Sequence, residues 1–301
     1  MSAALIAVVL ALVLDHAAPS LVQLRQVGWF ARWLGWLSTR ADSRMFTSRF
    51  GIVLTLGPLL LAVGVVQWAL ALHLFGLPGF LFSLAVLFYC WGPRDLDVDV
   101  AAIVDAEDGE QRRVAIQRLV GDGAPLPQDQ GALVEAVFEG ALSRWFGVLF
   151  WFLLLGPFGA VLYRFAHVGS RSDATAHLPV EHADAYRRLA AILDWPAAQL
   201  MSLALALAGN FDAVFGAWRD WHSVHRTRDA GFEHGFLGAA ACASVNCDLA
   251  EAREDEMEGF EPPPPEWPAL GAVTDAMSLV WRVLLVWLAV LALFVLAGFV
   301  D

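Results

Sequence analysis

The hydrophobic positions of this chain fall into long blocks, not into the two-residue alternation of strands. The longest uncharged stretch runs from Phe50 to Pro93, between Arg49 and Arg94. At about 1.5 Å per helical residue it is too long for one crossing of a hydrocarbon core about 30 Å thick. Gly76-Leu77-Pro78-Gly79 supplies turn chemistry within it. The pattern therefore predicts a helical hairpin over 51–92, with arms near Gly51–Phe75 and Pro78–Gly92. Residues 1–14 are apolar, short for a span and without a basic leader, which predicts a retained N-terminal membrane segment and not a cleaved signal. Val283–Val300 is almost uniformly apolar and predicts a C-terminal membrane helix over 283–300.

Three further blocks are less uniform. Trp145–Tyr163, between Arg144 and Arg164, carries Gly156-Pro157 near its middle, where a proline frees a carbonyl and kinks a helix. Trp195–Phe211 is uncharged but Ala-rich and holds Gln199, Ser202 and Asn210, so it reads as a helix packed on other helices. Leu21–Leu37 interleaves Trp29, Phe30, Trp33 and Trp36 with Arg25 and Arg32, the mixture of a helix lying at headgroup level. Val104–Leu119 predicts a short amphipathic helix, stopped by Gly121-Asp122-Gly123-Ala124-Pro125. Together these predict an all-α, polytopic membrane protein with four to five inserted segments in a single domain over 1–301.

Arginine positions set the expected orientation, because basic loop residues are retained on the cytoplasmic side. Residues 15–49 hold five arginines and residues 93–144 five more, whereas the hairpin turn holds none. Both ends of the hairpin should face the cytoplasm. Residues 164–282 hold nine arginines and should be cytoplasmic too, although a full crossing by 145–163 would carry them outward. Either 145–163 is re-entrant, or Trp195–Phe211 is a return crossing that leaves Arg164, Arg171, Arg187 and Arg188 outside. Four arginines in a short external loop weigh for the re-entrant reading.

Composition agrees with the blocks: 58% of the 301 residues are hydrophobic and 17% charged, against roughly 25% charged in soluble domains. All 19 basic residues are arginine, which excludes a P-loop lysine, a Schiff-base lysine and a Ser–Lys dyad. The net charge of −12 argues against a nucleic-acid partner. Cys90, Cys242 and Cys247 are an odd number without a C-x-x-C spacing, so neither a disulfide framework nor a zinc knuckle is expected. The acidic stretch Asp248–Glu266 closes on four consecutive prolines, so 248–268 reads as an extended linker feeding the last span.

No H-E-x-x-H, G-x-S-x-G, G-x-G-x-x-G or P-loop pattern occurs. Asp95-x-Asp97-x-Asp99 could hold a hard cation but lacks the glycine and distal glutamate of an EF-hand loop, so a solvated helix start is expected. His222-x-x-His225 with His234 reads as surface or interface histidines. No metal or cofactor is expected. Glu135 and Glu139 share a helix face just before Arg144, and the block that follows ends Tyr163-Arg164. Carboxylates and arginines at the mouth of a proline-interrupted membrane segment are either ordinary juxtamembrane charges or the polar site of a membrane enzyme or transporter for a small anionic ligand, since guanidinium pairs bidentately with phosphate and carboxylate.

The run Val134-Glu-Ala-Val-Phe-Glu139, followed by Leu149-Phe-Trp151, Gly156, Gly159-Ala160 and Leu162-Tyr-Arg164, resembles the central motif of the CobD/CbiB and AmpE superfamily of membrane proteins. Ala191-Ile-Leu-Asp-Trp-Pro196 is similar to the Leu-Asp-Trp motif of the AmpE branch, and adds Asp194 and Trp195 to the candidate ligand-binding residues Glu135, Glu139, Arg144, Tyr163 and Arg164. The resemblance to CobD/CbiB implies amide-bond formation between a corrin carboxylate and an aminopropanol phosphate. That branch's pattern has Val-Gly-Arg-Asp, Glu-Asn-x-x-Asp and a later Asn-Thr-x-Asp. Here Asp122-Gly123 follows Val120-Gly121, Gly140 and Ser143 follow Glu139, and His167 and Ser170 stand at the later polar positions. The apolar scaffold persists while the polar set is replaced, which favours a kept fold without the synthase chemistry. The AmpE resemblance implies a bacterial inner-membrane modulator of β-lactamase induction, surrounded by membrane lipids and linked through peptidoglycan recycling to the amidase AmpD, with no assigned catalytic residue.

Overall fold

A computed structural model describes residues 2–17, 25, 27–40, 51–71, 76–92, 95–121, 124–127, 129–171, 178–224, 234–245 and 270–297. Arg44, Arg49, Arg94, His225, Cys247 and the acidic linker 248–268 lie outside the described residues. Among the described residues every extended element is a helix and there is no strand. In chain order these are α1 (Ser2–Ala17), α2 (Gly28–Arg40), α3 (Gly51–Ala71), α4 (Leu77–Cys90), α5 (Leu96–Val104), α6 (Gly109–Val120) and α7 (Gln130–Ala141). A π-helical turn (Leu142–Phe146) leads into α8 (Gly147–Leu155), followed by α9 (Pro157–Ser170), α10 (Val180–Ala208), α11 (Phe211–Val224), α12 (Gly235–Ser244) and α13 (Leu270–Leu296).

Four helical stretches are long and apolar enough to cross a membrane: Gly51–Leu70, Gln130–Leu155, Val180–Ala208 and Leu270–Leu296. Only 11% of the first and 22% of the last is buried by the protein, so their apolar side chains need a nonaqueous solvent.

The chain forms two units. The first comprises residues 1–93, 143–194 and 290–301, and its central helix is α9, which packs on α2, α3, α4 and α8. The α8–α9 junction explains this arrangement. Gly156 takes φ 68° and ψ −151°, a region open almost only to glycine, and Pro157 starts the next helix at the position where its missing N–H costs nothing. The chain reverses there: at Gly159 there is no room for a Cβ against the Trp151 carbonyl. Gln67 of α3 secures the turn, donating to the Leu155 carbonyl at 3.2 Å and accepting from the Phe158 N–H at 2.9 Å. Residues 145–163 are thus a bent-back pair of short helices. Length sufficient to span is reached only because α8 continues back through the π turn into α7.

The second unit comprises residues 94–142 and 195–289. Here α12 packs on α7 and α11, and α5 packs on α6. The helix expected over 104–119 starts only at Gly109, because Asp105-Ala106-Glu107-Asp108 separates it from α5 and Asp108 caps α6 by accepting from the Gln111 N–H at 2.7 Å. The three alternate aspartates do open a helix, as expected, but not a uniformly solvated one. Asp95 caps α5, Asp97 accepts from Trp281 Nε1 at 2.9 Å, and Asp99 is buried.

Two other elements outrun their expected bounds. α13 begins at Leu270, well before 283, because Ala272, Val273, Ala276, Met277, Leu279 and Val280 bury a continuous face ahead of Arg282. α10 runs unbroken through Pro196, where a separate helix over Trp195–Phe211 was expected. Proline leaves the carbonyl four residues back without its helical donor. Beside that carbonyl, which is that of Ile192, Trp151 Nε1 donates to the Leu193 carbonyl at 2.9 Å.

Candidate functional site

The α8–α9 reversal builds the polar centre of the first unit. Tyr163, two turns beyond Gly156, lies against α8 at Gly147, where any Cβ would fall inside the tyrosine ring. That close approach fixes the ring and aims its hydroxyl at α10. Tyr163 Oη donates to Asp194 Oδ1 at 2.6 Å. His167, one helical turn further along α9, brings Nε2 within 2.9 Å of the same oxygen. A carboxylate only accepts, so the proton of this contact sits on Nε2. The Tyr163 and His167 rings lie 4.5 Å apart, and Tyr163 and Asp194 are both buried. Asp194 is therefore a buried carboxylate held by neutral or protonated donors from one neighbouring helix.

Arg164 follows Tyr163 and points to another side of α9, where it meets Cys90 of α4. It is 4% exposed, and its Nε and Nη2 are buried and make no hydrogen bond with a described residue. Arg144, placed by the π turn and also buried, and Arg171 lie within electrostatic reach and repel it. π-Helical turns of this kind often mark functional positions, because the extra residue re-aims the side chains beyond it.

The candidate residues fall in both units. Arg144, Tyr163, Arg164 and Asp194 are in the first, Glu135, Glu139 and Trp195 in the second. In the second unit Glu135 lies directly over Gly238 of α12, and Glu139 Oε1 stands 3.8 Å from His234 Nε2 with both side chains partly open to solvent. Trp195 is on the turn of α10 after Asp194 and is part exposed. His222 is engaged otherwise than as a ligand: its Nδ1 is 2.8 Å from the Trp218 carbonyl and its ring lies 4.2 Å from that of Trp218. Among the described residues no three His, Cys, Asp or Glu side chains converge as a metal set.

Gly147, and His167 as a partner of Asp194, are what sequence reasoning did not anticipate. The i, i+4 spacing of Tyr163 and His167 put them on one helix face. The need for glycine at 147 had no local signal, because it arises from contact with a residue across a turn.

The chain matches the CobD/CbiB protein family over residues 8–253. It is 25% identical over 245 residues to a cobalamin biosynthesis protein CobD of Stutzerimonas stutzeri, covering 77% of this chain and 78% of the relative. No solved structure gives a significant match. The family region takes in both arms of the reversal, the Tyr163–His167–Asp194 centre and three of the four span-length helices, and the chain is a multi-pass membrane protein of the CobD/CbiB family.

Proposed function

We propose that this protein is the AmpE-type regulator within that family: a bacterial inner-membrane protein that modulates β-lactamase induction through peptidoglycan recycling, functionally linked to the amidase AmpD. The observation that carries the reading is at Gly140, where the synthase pattern expects a polar side chain. A Cβ at that position would stand 3.1 Å from Leu96 Cδ1 and 3.5 Å from Leu119 Cδ1, so the position serves helix packing and a side chain there would have to displace Leu96. His167, at another of the polar positions, is likewise taken up by a structural contact, with Asp194. The Leu193-Asp194-Trp195 motif supports the same reading, since its carboxylate organises α9 and its neighbouring carbonyl holds Trp151.

Deleting the gene tests this. The expected result is altered β-lactamase induction and altered muropeptide pools, restored by the intact chain. Unchanged induction and unchanged pools would refute it. A second reading, amide-bond synthesis in the cobalamin pathway, is favoured by the name of the CobD relative. Rescue of a cobalamin auxotroph lacking its synthase would establish that reading in place of the first. For orientation, the arginine distribution supports a cytoplasmic position for residues 93–144 and 164–282, with α8 and α9 entering and leaving the membrane on that side.

A further inference from the structure

In the second unit, α10 and α11 carry an apolar ridge that the protein leaves uncovered. On α10, Leu200, Leu203 and Leu207 are spaced three and four residues apart, as on one face of a helix, and all are exposed. The chain then bends at Gly209-Asn210. There the Gly209 N–H closes α10 on the Leu205 carbonyl at 2.9 Å, and Asn210 Oδ1 caps α11 by accepting from the Ala213 N–H at 3.2 Å. On α11 the ridge resumes at Phe211 and Phe215, whose rings stack 5.8 Å apart and are about half exposed. The opposite edge of α11 is polar, with Asp212, Arg219, Asp220 and Ser223 all exposed. An apolar ridge bordered by charges is the composition of a helix that lies in a membrane surface.

Length and composition alone allow α10 to cross the bilayer, but two exposed ion pairs stand in the way. Trp218 Nε1 donates to Gln199 Oε1 at 3.0 Å, so α11 folds back alongside α10 and carries Arg219 and Asp220 to the level of Gln199. Those two side chains are 68% and 77% exposed. Arg187 and Asp184, earlier on α10, pair with each other and are also exposed. A crossing needs about 20 residues. A window placed beyond Arg188 puts Gln199, and with it Arg219 and Asp220, near the centre of the hydrocarbon core, and an earlier window encloses Arg187. Charged side chains inside a bilayer face a protein interior or water, not lipid. Lying flat, the same hairpin keeps both ion pairs at the headgroups and gives the ridge an apolar solvent. We propose that the C-terminal half of α10 and α11 form a hairpin that lies in the membrane surface and does not cross, with Leu203, Leu207, Phe211 and Phe215 immersed at the boundary between headgroups and acyl chains. The partner is the lipid surface, and the contact stands independently of the regulatory reading.

The test uses the full-length chain in nanodiscs of phosphatidylcholine and phosphatidylglycerol, with a spin label on one cysteine at a time in a cysteine-free background. Collisions with oxygen, which concentrates among acyl chains, are compared with those of a nickel chelate, which stays in water. Leu61→Cys, exposed at the midpoint of α3, marks the bilayer centre. Labels at Leu203→Cys, Leu207→Cys, Phe211→Cys and Phe215→Cys are expected to meet oxygen more than nickel, with a ratio below that of Leu61→Cys. Labels at Asp212→Cys and Ser223→Cys should show nickel in excess. A ratio at Leu203 or Leu207 that reaches the Leu61 value means that α10 crosses, and overturns the proposal. Nickel in excess at Phe211 and Phe215 places the ridge in water and overturns it too, as does low access to both reagents, the mark of a ridge covered by a second copy of the chain. Every substituted position is exposed, so each label leaves the packing intact, and if one variant does not fold the remaining ridge positions decide.

Discussion

Asp194 is the residue through which the α9–α10 contact is most directly tested. Its Oδ1 receives Tyr163 Oη at 2.6 Å and lies 2.9 Å from His167 Nε2. Hydrogen bonds to a charged group contribute roughly 1.5–3 kcal/mol each, so two of them are worth about 3–6 kcal/mol. Asp194→Ala removes both and leaves the buried Tyr163 hydroxyl without its acceptor, but it also relieves the desolvation of a buried carboxylate. The net expectation is a destabilisation of about 2–4 kcal/mol. Asp194→Asn keeps an acceptor for Tyr163 and should cost about 1–2 kcal/mol. Tyr163→Phe retains the ring against Gly147 and deletes only the hydroxyl, so it isolates one bond of the pair. The assay is unfolding in mixed micelles by titration with sodium dodecyl sulfate, followed by tryptophan fluorescence, for both single variants and the double variant. Groups that share a bond are non-additive, by about 1–3 kcal/mol for a strong buried pair. If the two single effects add to within about 0.5 kcal/mol, the reasoning about this centre is wrong.

Three other outcomes follow from the reversal at Gly156 and from the charge pattern. Gly156→Ala places a Cβ 2.9 Å from Gln67 Nε2 on a backbone at φ 68°, and should destabilise by about 1–3 kcal/mol in the same titration. Gln67→Ala should relieve part of that loss, by removing the clash but not the strain. Gly147→Val drives a side chain into the Tyr163 ring, and fluorescence size-exclusion of a tagged form should show it folding poorly, whereas Gly28→Ala, with nothing within 4 Å of the new Cβ, should be indistinguishable from wild type. A single cysteine introduced as Thr175→Cys in a cysteine-free background should be labelled only after the cytoplasmic side is made accessible. Labelling from the outside of intact cells would refute the proposed orientation of 164–282.

Much of the fold was legible because membrane solvent imposes simple rules. Gly51–Ala71 and Leu77–Cys90 were marked by forty uncharged residues interrupted by Gly-Leu-Pro-Gly, since a span is a matter of length and the absence of charge. Where burial comes from protein and not from lipid, the rules weakened. Leu270–Arg282 was passed over because Thr274, Asp275 and Arg282 dilute its apolar run, yet the face formed by Ala272, Val273, Ala276 and Val280 extends the last helix by three turns. The stretch Trp195–Phe211 was delimited by the charges of Asp194 and Asp212, yet the helix runs through both Asp194 and Pro196, since a long helix tolerates one missing bond when its neighbours pack well. Likewise the alternate aspartates at 95, 97 and 99 looked alike in the sequence, yet Asp95 caps the helix, Asp97 accepts from Trp281 and Asp99 is buried.

By itself, then, the sequence determined that this is an all-helical multi-pass membrane protein, where its longest apolar helices lie, and which residues resemble a known family. Those properties depend on local composition, on charge and on the fixed rise of a helix, and each can be read along the chain. Tertiary structure alone decided that Tyr163 and His167 share Asp194, that Gly147 and Gly169 are glycines because the rings of Tyr163 and Tyr186 occupy the space of their Cβ atoms, and that Arg164 has no partner among the described residues. These depend on distances between helices: the turn at Gly156 sets Gly147 against Tyr163, and the contacts at Asp194 and Gly169 are made between α9 and α10. A reversal of direction changes which residues meet without changing the hydrophobicity of any of them, so no periodicity or composition could have revealed it.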